Sequence, residues 1–220
     1  MTELLTSAPW PALRRQMVAI LRGITPVDIA AVGAAVIEAG FEAIEVPLNS
    51  PDALLSIAQL VRLAPSHVIV GAGTVLTPVQ VAAVADVGGR LLVAPNVDAA
   101  VLQAAAARSM VTMPGVFSPT EALAALRAGA SALKFFPASV LGPNGIAAIR
   151  AILPPDCPVG AVGGVSNADF AAYMRAGVRL FGLGTGLYPA GAPAAEVGAR
   201  ARAAVEAYDL AAAGASAPLT

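Results

Sequence analysis

Residues 40–73 read GFEAIEVPLNSPDALLSIAQLVRLAPSHVIVGAG. Two short apolar runs, AIEVPL from Ala43 and HVIVGAG from His67, flank a segment with Leu54, Ile57, Ala58 and Val61 at helical spacing. Each run is too short for a stable helix and is rich in Val, Ile and Leu, as strands buried on both faces of a parallel sheet are. The segment between them opens with Ser50-Pro51-Asp52, a cap-and-proline start for a helix. Gly40 sits where the preceding helix ends and the backbone needs positive φ. This stretch therefore predicts a strand–helix–strand unit with parallel strands.

The same unit recurs on both sides. Further strand-like runs are MVAILRG from Met17, RLLVAP from Arg90, MVTMPGV from Met110, ALKFFP from Ala132, CPVGAVGG from Cys157 and RLFGLGTG from Arg179. Pro26-Val27-Asp28, Thr77-Pro78 and Ser118-Pro119 mark other helix starts, and Gly129 and Gly177 mark helix ends. The phrases EAGF, RAGA and RAGV return just before strands, a weak internal echo. Eight such units predict an α/β fold, a (β/α)8 TIM barrel forming one domain over residues 1–210. A doubly wound open sheet is the alternative. A short helix is expected over about residues 2–16, and the tail 211–220 is expected to be disordered.

At 220 residues the chain is near the lower limit for such a barrel, so long inserted loops or an extra domain are not expected. The net charge of -1 and the lack of a basic stripe argue against nucleic acid as partner. The composition is 57% hydrophobic, with a mean hydropathy of +0.75. Yet the longest uncharged stretch, residues 68–85, is broken by Gly71, Gly73 and Thr77-Pro78 and reads as strand, turn and helix rather than a membrane span. No basic-then-apolar leader opens the chain. Cys157 is the only cysteine, so a reduced, cytoplasmic setting fits best.

In a barrel of this kind the chemistry sits at the C-terminal ends of the strands. Three strand runs carry a charge there: Arg22 in AILRG, Glu45 in AIEVP and Lys134 in ALKFF. A lysine flanked by Leu133, Phe135 and Phe136 pays a desolvation cost when charged, so burial lowers its pKa and populates the nucleophilic amine. A strand lysine can also snorkel to solvent or pair with a carboxylate; the barrel position and the presence of Glu45 favour chemistry. A carboxylate within reach of an amine can shuttle protons, although Glu45 can equally serve as a counter-ion. Arg22 suits bidentate binding of a carboxylate.

Glycines at the ends of the last two strands form a second cluster. Gly163 and Gly164 precede a Ser166/Asn167 helix cap, and Gly184, Thr185 and Gly186 follow the final strand. Glycine lets a backbone approach an anion closely, and barrels often hold phosphate at this corner. His67 opens its strand at the far end from this face, and Cys157 has no histidine partner. No His/Cys/Asp/Glu group has metal-ligand spacing, and neither a Walker loop nor a GxGxxG spacing occurs, so no metal or cofactor is expected.

Taken together, AILRGITP, GFEAIEVPLNSP, GAGTVLTPVQV, LLVAPN, MPGVFSPTEALAAL, GASALKFFPAS, AVGGV and GLGTGLY make the chain, over residues 17–208, resemble the bacterial 2-keto-3-deoxy-6-phosphogluconate and -6-phosphogalactonate aldolases. The resemblance implies a homotrimer of barrels and metal-independent cleavage of a phosphorylated keto-deoxy sugar acid through an imine. By the same resemblance Lys134 is the Schiff-base lysine and Glu45 the general acid/base. Arg22, Thr74 and Pro95 border the pyruvate moiety, and Gly163, Gly164, Gly184 and Thr185 hold the phosphate. VPLNSP stands where gluconate-type enzymes typically read like VTLRTP, and PASVLGPNGI is similar to the galactonate type. Both point to the 6-phosphogalactonate epimer, with Asn49 as the residue to suspect. Thr185 replaces a frequent serine, and Gly186 stands where galactonate-type relatives often carry an acid. The rivals are the gluconate epimer, a silent phosphosugar-binding barrel, and a phosphate-binding isomerase barrel of the tryptophan pathway.

Overall fold

The computed structural model describes residues 6–215. Eight α-helices alternate with parallel strands: β1 (Met17–Ile20), α1 (Ile29–Glu38), β2 (Ala43–Pro47), α2 (Ala53–Leu63), β3 (Ile69–Gly73), α3 (Pro78–Asp86), β4 (Leu91–Val93) and α4 (Ala99–Ala106). They continue with β5 (Val111–Met113), β6 (Gly115–Val116), α5 (Pro119–Arg127), β7 (Leu133–Phe135), α6 (Ala138–Arg150), β8 (Val159–Val162), α7 (Phe170–Arg175), β9 (Leu180–Leu183) and α8 (Ala194–Ala215). The strand order is β5-β4-β3-β2-β1-β9-β8-β7-β6, with every pair parallel. All eight expected strand runs are present. The fifth, MVTMPGV, is interrupted at Pro114, which has no N–H to give a ladder; β5 pairs with β4 and β6 with β7, so its two halves close the barrel.

The period-2 alternation of each strand separates two cores. Met17, Ala19, Ile44, Val70, Leu92, Leu133, Phe135, Ala161 and Phe181 face outward and are covered by the helices. Val18, Ile20, Ala43, Ile69, Leu91, Val93, Met113, Val162 and Leu180 face inward and fill the barrel. Each fully buried Val, Leu, Ile, Phe or Met side chain among them contributes about 1.5–3 kcal/mol.

All four expected helix starts are near the observed ones, but the side-chain caps form at only two: Asp28 and Asp52, the N-cap residues of α1 and α2, make no cap bond. Thr77 and Ser118 each form a capping box, with Gln80 and Glu121, followed by proline at the first helical position. Two N–H bonds and the Ser118 hydroxyl hold the Glu121 carboxyl below the usual glutamate range. Gly40, Gly129 and Gly177 all adopt positive φ. α6 is two helical pieces joined across a kink at Gly142-Pro143.

Two expectations about the ends are corrected. No helix forms over residues 6–16, because Pro9 and Pro11 remove donors that a helix there would need. This segment instead runs across the N-terminal mouth of the barrel. Ala8 bridges to Val111, the Ser131 hydroxyl donates to the Ala8 carbonyl, the Thr112 and Ser7 hydroxyls are bonded, and Trp10 and Leu13 pack on the inner core. At the other end α8 continues to Ala215, past the expected boundary at 210. Its last turns are alanine-rich, and alanine carries the highest helix propensity. Residues 1–5 and 216–220 lie outside the described residues, including the rest of the expected tail.

Candidate active site

The inward alternation does not stop where the ladders stop. Counting by twos from the barrel interior leads from Ile20 to Arg22, from Ala43 to Glu45, from Val93 to Pro95, from Ala132 to Lys134 and Phe136, from Val162 to Gly164, and from Gly182 to Gly184. Each of these arrivals lines a single cavity of about 700 Å³ at the C-terminal ends of the strands. Gly163, Thr74 and Thr185 line it too. Thus nine of the ten residues named from the sequence for substrate contact converge there, from strands far apart in the chain.

Glu45 and Lys134 form the cavity's deep end. Glu45 is 2% exposed and Lys134 is 7% exposed. The strand neighbours in register make room for them: Lys134 lies between Gly115 and Gly160, and Glu45 lies beside Gly71. Burial pushes the Glu45 carboxyl up to about 7, against the opposing pull of Lys134 and Arg22. Burial likewise pushes the Lys134 ammonium down; Glu45 opposes that shift and Arg22 adds to it. Glu45 Oε2 is buried without a hydrogen-bond partner. The Lys134 Nζ instead lies 4.6 Å from the centroid of the Phe136 ring. An unpaired buried carboxylate oxygen is costly, and such groups persist where chemistry uses them.

The close packing of Glu45 identifies a residue that the sequence reading quoted without singling out, Gly73. A Cβ at Gly73 would overlap the Glu45 carboxylate. Gly73→Ala is therefore expected to destabilise the fold by about 1–3 kcal/mol and to lower turnover by about 10²-fold through displacement of Glu45. Unchanged kcat in a folded Gly73→Ala protein would break this link between glycine and carboxylate. Ile20, Phe136, Val162, Gly182 and Tyr188 are further lining residues missed at first. The period-2 count above would have found all but Tyr188.

The rim on one side carries Arg22. Its guanidinium donates to Asn49 Oδ1 and, at 3.3 Å, to Thr74 Oγ1. Asn49 itself is exposed and does not line the cavity; it reaches the site through Arg22. Thr74 is held at φ 57, an outlier for a β-branched residue, of the kind that survives where the surroundings over-determine it.

On the opposite side stand the glycine turns. Gly163 and Gly164 have φ of 89 and 71, and side chains there would meet the Phe136 ring and Ser139. The Ser166 N–H and hydroxyl both donate to Asp169 Oδ2 at 2.7 Å, shaping the turn into α7. After β9, the Leu187 and Tyr188 N–H groups return to the Gly184 carbonyl at 2.9 and 2.8 Å. The first N–H groups of such a helical turn have no acceptor within it, which suits an anion. This side is open: a Cβ at Gly184 or Gly186 would meet nothing within 4 Å. His67 is exposed, in the turn just before β3, at the other end of the barrel. Cys157 is half-buried before β8, and burial pushes its thiol up, away from the reactive form.

A cavity with a depressed lysine, an elevated glutamate, one arginine at the rim and an anion-friendly corner can form an imine with a keto acid and hold a distal phosphate. Comparison with known proteins agrees with that chemistry. The family described as "KDPG and KHG aldolase" matches residues 12–210. A protein of Rhizobium meliloti (strain 1021) named "Probable 2-dehydro-3-deoxy-6-phosphogalactonate aldolase" is 59% identical over 201 residues, 91% of this chain and 95% of the relative. A solved structure described as "Native KDPGal structure" superposes with a TM-score of 0.91 at 44% identity, covering 93% of this chain and 99% of the other. The KDPG aldolase of Legionella pneumophila, solved with pyruvate captured at low pH as a covalent carbinolamine intermediate, matches at a TM-score of 0.75 and 25% identity, over 88% and 92% of the two chains. On the match of nearly its whole length and on the identity to these relatives, the chain belongs to the KDPG and KHG aldolase family.

Proposed function

We propose that this protein is a class I aldolase that cleaves 2-dehydro-3-deoxy-6-phospho-D-galactonate into pyruvate and D-glyceraldehyde 3-phosphate. The observation that carries the reading is the buried pair at the cavity floor, a lysine with lowered pKa beside a glutamate raised to about 7. Both shifts run toward what imine chemistry needs: a larger share of neutral amine, and a carboxyl that both gives and takes a proton. The galactonate-type relatives support the class of substrate.

In this mechanism the Lys134 amine attacks the C2 ketone while Glu45 supplies a proton to the oxygen, giving the carbinolamine. Loss of water leaves an iminium. Glu45, now a carboxylate, takes the proton of the C4 hydroxyl. The C3–C4 bond breaks, its electron pair passes into the iminium to give the enamine, and the aldehyde departs. Protonation of C3 and hydrolysis of the imine release pyruvate and restore the amine. Arg22, held by Asn49 and Thr74, is placed to bind the C1 carboxylate. The turns at Gly163-Gly164 and Gly184-Thr185 take the phosphate, whose binding energy positions the reacting bond.

The test is kcat/KM for the two C4 epimers. A preference of tenfold or more for the galactonate form, about 1.4 kcal/mol in transition-state binding, is expected. Parity or reversal would replace this substrate by the gluconate epimer or by both. The working form is a cytoplasmic homotrimer, as the family resemblance implies; exposed Leu54, Leu55, Leu76 and Val79, around the starts of α2 and α3, offer apolar surface for subunit contact. No helix among the described residues is long and apolar enough to cross a membrane.

A further inference from the structure

A second cavity, of about 330 Å³, shares Val165, Ser166, Gly184 and Gly186 with the first and is walled on its far side by Arg200 and Ala204 of α8. Arg200 is the one cation in that wall. Its Nη1 donates to the Gly186 carbonyl at 3.1 Å, while its Nε and Nη2 both donate to Glu196 Oε1, one helical turn earlier, at 3.0 and 2.8 Å. The guanidinium is thus fixed by Glu196 and pressed against the back of the 184–186 turn.

That turn has little else to hold it. Neither Gly184 nor Gly186 has a side chain, and the space around both is open. The Leu187 N–H, which shares a peptide plane with the Gly186 carbonyl, donates to the Gly184 carbonyl, and that backbone bond sets the direction of the Gly186 carbonyl. Were that bond to open, the glycine-flanked peptide would be able to turn, and a carbonyl turned toward the cavity would present its negative end to a bound anion; the Arg200 bond is a second tie against this. We infer that Arg200 is a positioning residue for the anion-binding turn: by drawing the Gly186 carbonyl toward α8 it keeps the carbonyl's negative end away from the ligand's phosphate. It acts through the backbone and not as a ligand, because its charge is already matched by Glu196 at 2.8 Å. The inference rests on the proposed reading that this corner holds the substrate phosphate. Nothing in the local sequence signals it, since Arg200 lies 14 residues beyond the carbonyl it holds.

The test uses the full-length protein with inorganic phosphate as probe, titrated by calorimetry, alongside borohydride trapping of pyruvate and steady-state kinetics. One lost hydrogen bond of this kind corresponds to about a 3- to 10-fold weakening. Arg200→Met is expected to raise the phosphate Kd and the KM for the phosphorylated substrate by that factor, with kcat and pyruvate trapping retained. Arg200→Lys, which keeps one donor at the end of a flexible stem, is expected to restore most of the loss. Glu196→Gln is expected to weaken phosphate binding slightly. A phosphate Kd unchanged in Arg200→Met, or a wild-type protein with no measurable phosphate binding, overturns the inference. So does a several-fold tightening in Glu196→Gln, which would make Arg200 a direct ligand released from its counter-ion. Failure of the wild-type protein to trap pyruvate would remove the aldolase reading alone, since the phosphate titration still decides the role of Arg200.

Discussion

Lys134→Met is expected to eliminate the borohydride-stable pyruvate adduct and to lower turnover by about 10⁴-fold or more. Methionine is close to lysine in length, and its apolar stem fits the floor between Phe136 and the inner barrel core. The variant therefore keeps the packing while removing the amine. Burying an ammonium costs several kcal/mol before any partner repays it, so the variant is expected to be no less stable than the wild-type protein near neutral pH. This combination separates chemistry from folding: intact mass after reduction, peptide mapping and a thermal melt suffice. An adduct on another lysine cannot arise, because Lys134 is the only lysine in the chain. Turnover within tenfold of wild type in Lys134→Met would end the imine mechanism. The silent-binder alternative makes the opposite prediction for the wild-type protein, which would then show no adduct at all.

Glu45→Gln is expected to lower kcat by about 10²–10⁴-fold, the usual contribution of a positioned proton shuttle. Glutamine has nearly the same shape, so the cavity floor and Gly73 are undisturbed. Imine trapping should slow rather than vanish, since the amine remains. Wild-type kcat is expected to show a limb near pH 7 that the variant lacks. Stability supplies a second readout with a definite sign. The folded-state pKa of Glu45 is raised from 4.5 to about 7. The carboxyl's contribution to stability is therefore full below pH 4.5 and is lost as pH rises through about 7. Glutamine stays neutral throughout, so the Tm of the variant relative to wild type should increase between pH 5 and pH 8. A flat Tm difference across that window would mean that Glu45 is not desolvated as its burial indicates, and near-full kcat in the variant would remove it from the mechanism.

Much of the architecture was legible from local pattern. Apolar runs of strand length alternate with segments at helical spacing. Thr77-Pro78 and Ser118-Pro119 carry caps that the structure displays, and the one lysine stands out because ALKFF offers it no water. These signals are local, decided by neighbours within one turn or one strand, and so can be read before the chain folds. The N-terminal segment could have been read better: Pro9 and Pro11 already forbade the helix expected there. Pro114, inside a strand run, likewise announced the break between β5 and β6.

What the sequence by itself determined is which residues face inward, because a strand's period of two is a property of the backbone and continues past the ladder's end to Arg22, Pro95, Phe136 and Gly184. The tertiary structure alone decided which of those residues meet. Closing the barrel brings Glu45 and Lys134 to one floor, sets the Glu45 carboxylate against Gly73, hands Asn49 to Arg22 instead of to the cavity, and lays Arg200 behind Gly186. Such meetings depend on strand register, loop path and helix docking summed over the whole chain, and on desolvation that exists only once the core has formed. For that reason a buried amine could be suspected from five residues, whereas the groups that tune and position it appear only in the folded molecule.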